Sequence, residues 1–226
     1  MSLVITLADA LFSGLKITLE VTLFSAILAC IIAFAAGIAR LARQRWIRAI
    51  ATVYVEGFRS MSALVVMFWL YFALPLFGLQ LTALQAGVLA LGLSYGAYGA
   101  EIVRGAIVQV PRGQWEAATA LNLSAGQRMQ YVVLPQAILA MLPPLSNLLV
   151  DLLKATSLIS LITLTDLTFE GKILQGTLGH PLEIFALVLM VYFVVNFALT
   201  RLMKLLERQI SHGQGVARPV KGVTIT

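Results

Sequence analysis

Charge is scarce in this chain. Only 12% of its 226 residues are Asp, Glu, Lys or Arg, while 60% are hydrophobic. Soluble globular domains carry roughly 25% charge, and one of this length has no interior that could hide so much apolar surface, so an integral membrane protein is implied. Cysteine is scarcer still: Cys30 is the only one, which excludes an intramolecular disulfide. The two histidines, His180 and His212, fall in predicted loops on opposite sides of the membrane and cannot share a metal. The Gly-x4-Gly-Lys-[Ser/Thr], His-Glu-x-x-His and Gly-x-Ser-x-Gly patterns are all missing. Gly171-Lys172 is followed by Ile and makes no phosphate cradle. Energy taken from a nucleotide therefore has to enter through another chain. No Lys or Arg precedes Lys16, so the first apolar segment does not read as a secretory signal.

The charge that is present sits in particular places. Val21 to Ala39 is 19 residues without a formal charge, close to the roughly 20 that cross a bilayer. Arg40, Arg43, Arg45 and Arg48 follow at once. Between Arg59 and Glu101 lie 41 uncharged residues, twice one crossing, with Pro75, Gly78 and Gln80 near the middle to turn the chain. The expected fold is all-α, with five transmembrane helices at about 14–39, 56–77, 82–103, 137–163 and 182–201. Residues 1–12 read as an amphipathic lead-in, 13–208 as the transmembrane domain, 164–182 as a polar external connection and 209–226 as a basic tail. Thirteen of the 16 basic residues then fall on one side, all except Lys16, Lys154 and Lys172. By the positive-inside rule that side is cytoplasmic, which puts the N-terminus outside and the C-terminus inside. The same rule accounts for the net charge of +6 without a nucleic-acid partner.

Residues 104–136 interrupt the apolar pattern with three arginines and Glu116 on what becomes the cytoplasmic side. Pro111 suits a helix start, and Glu116 to Leu121 are good helix formers. Asn122 sits where that helix should stop, since Asn tolerates the left-handed cap conformation. Ser124 with Gln127 reads as a capping box for a second helix. Two short helices at a sharp corner are expected.

Inside the membrane, Asn147, Asp151 and Lys154 are spaced i, i+4, i+7 and share one helical face. Buried charge is costly in a bilayer, about 2.5–3.5 kcal/mol on insertion scales, so such groups pair or line a wet path. Two readings stay open. Asp151 and Lys154 neutralise each other, or the face lines a route for a polar, zwitterionic solute. Pro143-Pro144 frees backbone carbonyls for such a route. Glu101 is expected to pair with Arg104 at i+3, and Gly92, Gly96 and Gly99 to let helices approach closely.

Gly113-Gln-Trp-Glu116-Ala117-Ala118 resembles the cytoplasmic EAA loop of ABC-importer permeases of the type I fold. Gly99-Ala-Glu101-Ile-Val-Arg104-Gly105, Val110-Pro-Arg-Gly, Leu134-Pro-Gln136-Ala, Leu142-Pro-Pro and Lys154-Ala-Thr156-Ser157-Leu158 extend the likeness to the polar amino-acid permease family over about residues 10–208. Residues 164–182 resemble ectoine permeases. Two positions depart from the pattern. Asn122 stands where the loop usually has glycine, and Arg59-Ser-Met-Ser62 stands where the family has Arg-Gly-Thr-Pro.

The resemblance implies a permease subunit in a bacterial inner membrane. Its partners would be a second permease chain, identical or paralogous, two ATPase chains, an extracytoplasmic solute-binding protein and membrane lipid. It would hold no cofactor itself, ATP and magnesium being bound by the ATPase. Gly113, Trp115, Glu116, Ala117, Ala118 and Asn122 would form a coupling helix, with alanines 117, 118 and 120 as a thin face and Trp115 as an aromatic anchor or an interfacial belt residue. Asn147, Asp151, Lys154, Thr156 and Ser157 would belong to the translocation pathway for a polar amino acid or related compatible solute. A secondary transporter or channel without an ATPase is the rival; it predicts an internal repeat, and none is visible.

Overall fold

Nothing between Ser2 and Ala39 breaks a helix, and a computed structural model, which describes residues 2–213, has one unbroken helix there, α1 (Ser2–Ala39). The expected boundary between a lead-in over 1–12 and a span from 14 is not seen. Ser13 donates its hydroxyl to the Ala10 carbonyl at 2.8 Å within the helix. Gly14 also stays helical, and its smallness serves packing: a Cβ there would lie 2.9 Å from the Leu167 backbone.

The second expected span, 56–77, is divided. Helix α2 (Arg45–Ser60) and helix α3 (Ala63–Phe77) meet at a bend of 100°. Met61 and Ser62 are extended, and the Ser60 hydroxyl turns back to the Gly57 carbonyl at 2.8 Å. Apolarity alone, on which the expected span rested, does not register such a break. α3 widens to a π-turn at Trp69–Ala73 and tightens to a 3-10 turn at Leu74–Phe77 before Gly78, at φ +85, reverses the chain.

Thr82 and Gln85 form a capping box that starts helix α4 (Ala83–Gln109), which runs six residues past the expected end at 103. It ends at Val110 because the residue before a proline is pushed into extended backbone. The polar loop expected over 104–136 thereby shrinks to a hairpin. Helix α5 (Arg112–Ala120) is its first arm. The second arm is the start of a 38-residue helix, α6 (Ala125–Ile162). Within α6 a π-turn at Arg128–Val133 precedes Pro135, which has no N–H for a helical bond. Pro143 and Pro144 lie inside the helix without ending it, and the last turns, Thr156–Ile162, are 3-10.

The connection expected over 164–182 is mostly helix α7 (Leu167–Leu178). Its polar residues conceal an inward face of Leu167, Gly171 and Leu174, spaced i, i+4, i+7. Helix α8 (Pro181–Gly213) runs twelve residues beyond the expected span end at 201. Of the tail expected over 209–226, residues from 214 onward lie outside the described residues.

Among the described residues four helical stretches are long and apolar enough to cross a membrane, Asp9–Ala39, Ala83–Gln109, Ala125–Ile162 and Pro181–Ile210, and the bent α2–α3 pair, taken as one span, makes a fifth. At the centre α1 and α4 run parallel, with Gly92 against Leu28, Gly96 against Ile32, Gly99 against Ala33 and Gly37 against Ala100. At three of these positions a Cβ would come within 2.5–2.8 Å of the facing side chain, so the expected close approach is real.

Candidate functional site

The hairpin between α4 and α6 is braced by its own hydrogen bonds. Asn122 has φ +55, and the two bonds that close a Schellman turn are both present: Asn122 N–H donates to the Thr119 carbonyl at 2.9 Å, and Leu123 N–H to the Ala118 carbonyl at 3.2 Å. Asparagine can take this conformation where most residues resist it. Past the corner, Gln127 N–H donates to Ser124 Oγ at 3.3 Å and Ser124 N–H to Gln127 Oε1 at 2.9 Å, the expected capping box. The arms are tied by Arg128 Nη1 to Thr119 Oγ1 at 2.6 Å and by Gln136 Nε2 to Gln114 Oε1 at 3.3 Å.

The faces of α5 divide differently from the expected thin alanine stripe. Ala118 is buried, and Trp115 is half-buried against the cluster of Val103, Ile107, Val133 and Met141. Trp115 thus anchors the hairpin to its own bundle. Gly113, Glu116, Ala117 and Ala120, at i, i+3, i+4 and i+7, are exposed together. A Cβ at Gly113 would meet nothing among the described residues within 4 Å, and Leu121 at the corner is 74% exposed.

Behind the hairpin an ion cluster locks three helices. Glu101 takes Arg104, as expected, and also Arg40 Nη1 at 2.5 Å. Arg40 bridges onward to Glu56 at 3.1 Å, and Glu56 lies 3.8 Å from Arg59. The Arg40–Glu101 bond spans 61 positions and escaped the sequence reading. One clue was available: Glu101 is the sole acid between Glu56 and Glu116, on a side crowded with arginines.

The polar face of α6 is only partly assembled as expected. Asn147, Asp151 and Lys154 are all exposed, and Lys154 Nζ lies 3.1 Å from Asp151 Oδ1. Ser157 donates to the Lys154 carbonyl at 2.9 Å. Thr156 is buried and donates to the Leu153 carbonyl at 2.7 Å, so it joins the packed interior rather than the exposed face. Asp151 instead opens on a cavity of about 320 Å³ at the α2–α3 bend, lined also by Ser62, Ser94, Tyr95, Tyr98 and Leu148. Tyr95 Oη donates to the Asp151 carbonyl at 3.1 Å, and the buried Ser94 hydroxyl has no partner among the described residues. Ser62 and Ser94 were not foreseen, because the bend that brings them to Asp151 leaves no periodic mark in the sequence.

At the opposite end of α6, Asp166 is fully buried and caps α7, accepting from Phe169 N–H at 2.9 Å. Burial pushes its carboxyl above the usual range; the N–H groups of Phe169 and Thr168 and the hydroxyls of Thr168 and Tyr192 oppose that shift.

Residues 16–212 match the family described as the binding-protein-dependent transport system inner membrane component. A probable amino-acid ABC transporter permease of Sinorhizobium fredii is 44% identical over 91% of this chain and 89% of its own length. The L-cystine transport system permease of Bacillus subtilis is 32% identical over 88% and 86%. Among solved structures, the crystal structure of an amino acid ABC transporter with histidines superposes with a TM-score of 0.86 at 32% identity, over 91% of this chain and 96% of that one.

Proposed function

The chain belongs to the family of inner-membrane components of binding-protein-dependent transport systems, and from that premise we propose which of its parts couple, conduct and assemble. It is a permease subunit of an ABC importer with amino-acid permeases as relatives, embedded in a bacterial inner membrane, and the ATPase is a separate chain. It works with an ATPase and a substrate-binding protein, and a rival without an ATPase does not fit that membership.

The solute is a polar amino acid or a related compatible solute. Two permease chains, two ATPase chains and one binding protein make the working assembly, with ATP and magnesium held by the ATPase alone. The N-terminus lies outside and the C-terminus in the cytoplasm, so the hairpin faces the ATPase. The observation that carries this reading is the exposed face of Gly113, Glu116, Ala117 and Ala120 on a hairpin held rigid by its own caps. Such a face is slim enough to enter a groove, and the brace lets force pass through it instead of being absorbed.

Movement of the hairpin would travel along α6, which continues from Ala125 to Ile162. Asp151 lies 26 residues along it, about 39 Å at 1.5 Å per residue. Closure of the ATPases around ATP would draw two hairpins together and rock each α6, changing access to the cavity beside Asp151, Ser94 and Tyr95. A zwitterionic solute can exchange its ammonium and carboxylate for the Asp151–Lys154 pair, which keeps both charges satisfied along the way.

Proteoliposomes holding this chain, its ATPase and its binding protein test the reading. Solute should accumulate only with ATP inside; accumulation without ATP overturns it. A reporter fused to the C-terminus and found outside would overturn the orientation.

A further inference from the structure

Besides Arg112 and Arg128 of the hairpin itself, six arginines gather at this end of the bundle, and they fall into two groups. Arg40, Arg59 and Arg104 are held by Glu56 and Glu101. Arg45 and Arg48 on α2 are exposed and make no ion pair or hydrogen bond among the described residues. Arg43, likewise unpaired, lines a cleft beside Trp115.

Helix α2 has two apolar faces. Ala51 and Val55 are buried against the bundle. Trp46, Ile50 and Val53, at i, i+4 and i+7, point the other way and are 66%, 64% and 74% exposed. Between these faces runs a polar strip of Arg48, Arg59, Thr52, Arg45 and Glu56.

The depth of α2 follows from its ties to α4. Arg40 links Glu56 to Glu101, Tyr98 Oη donates to the Arg59 carbonyl at 3.2 Å, and Tyr54 Oη to the Leu93 carbonyl at 2.7 Å. Glu101 is 18 residues into α4, about 27 Å, which is near the far edge of a hydrocarbon core roughly 30 Å thick. The bend of 100° then lays α2 across the direction of α3.

We infer that α2 lies in the membrane interface and holds anionic phospholipid. Trp46, Ile50 and Val53 rest among acyl chains, and Arg45 and Arg48 bind the headgroup phosphates. A helix with an outward apolar stripe and a separate polar strip carrying two unpaired arginines has the amphipathic pattern of an interfacial anchor, and guanidinium forks suit phosphate oxygens. A second copy of the chain is a poorer occupant, because a contact made through Trp46, Ile50 and Val53 leaves Arg45 and Arg48 without an anionic partner.

The test uses the full transporter in vesicles of phosphatidylcholine with a minor fraction of brominated lipid, which quenches tryptophan on contact. The Trp46 signal is the difference between the natural chain and Trp46→Phe. Brominated phosphatidylglycerol should quench it several-fold more than the same fraction of brominated phosphatidylcholine. Arg45→Gln with Arg48→Gln should erase that preference while ordinary phosphatidylcholine quenching persists, and Arg45→Lys with Arg48→Lys should keep it. Equal quenching by both lipids in the natural chain overturns headgroup binding. Quenching by neither overturns the interfacial position and means that another chain covers the face.

Discussion

Helix α6 has a left-handed residue at each end, Asn122 at φ +55 before it and Thr163 at φ +65 after it, and the two corners are built for opposite purposes. At Asn122 every brace is local: a Schellman turn, a capping box and an Arg128–Thr119 bond, with Leu121 projecting outward. Beyond Thr163 the chain closes on its own interior. Asp166 and Leu167 are buried, Leu167 N–H donates to Thr18 Oγ1 at 3.2 Å, and Gly14 leaves room for the Leu167 backbone. The first corner keeps its shape through bonds within the hairpin, which in the function proposed above leaves its outward residues to a partner. The second holds α1, α6, α7 and α8 in register. Changes at the far corner should therefore appear as lost stability, and changes at the hairpin as lost coupling with the fold intact.

The largest effect is expected at Asp166. Asp166→Ala removes a cap and orphans buried donors, costing about 2–3 kcal/mol, measurable as earlier unfolding in detergent. Because burial raises this carboxyl, the folded chain holds its proton more tightly than the unfolded one. Stability should thus fall as pH rises from the ordinary carboxylate range through the raised value, and Asp166→Asn should flatten that slope.

Asn122→Val comes next. A β-branched residue pays about 1–2 kcal/mol in the left-handed region, and here the strain is confined to an exposed turn. The chain should fold and assemble, while ATP hydrolysis continues with little solute uptake. Asn122→Gly should behave as the natural chain. Equal losses of stability from Asn122→Val and Asp166→Ala would break the contrast between the corners.

Gly113→Val sharpens it further. Among the described residues nothing occupies the space its side chain would take, so unfolding of the isolated permease should shift by less than about 1 kcal/mol, the mid-helix cost of glycine being of that size. Co-purification of the ATPase should nevertheless drop. The smallest effect is expected for Thr163→Gly. Relief of left-handed strain is offset by added freedom in the unfolded chain and by loss of the Tyr71–Thr163 contact at 3.2 Å. Unfolding should move by no more than about 1 kcal/mol in either direction.

Much of this was legible in the sequence because it rests on local rules. The Asn122 corner, the Ser124 box and the glycine packing of α4 each follow from a few neighbouring residues. What was hidden depends on distance or on a break without a signal. Met61-Ser62 carries no formal charge and neither glycine nor proline, yet the chain turns there through 100° and forms the cavity beside Asp151. Arg40 finds Glu101 only after α1 and α4 are laid side by side. Trp115 reads as an outward anchor until the cluster beneath it is known, and the inward face of α7 was masked by the charged Glu170 and Lys172 beside it. The composition of α2 shows its amphipathic nature, but not which of its two apolar faces the bundle would take.

The hairpin is the central claim, and a photo-crosslinking side chain placed at Glu116 tests it most directly. In purified transporter in lipid vesicles, irradiation should join this chain to the ATPase, with a yield that changes when ATP binds. Active transporter that forms no bond to the ATPase from position 116, with or without ATP, would contradict the account.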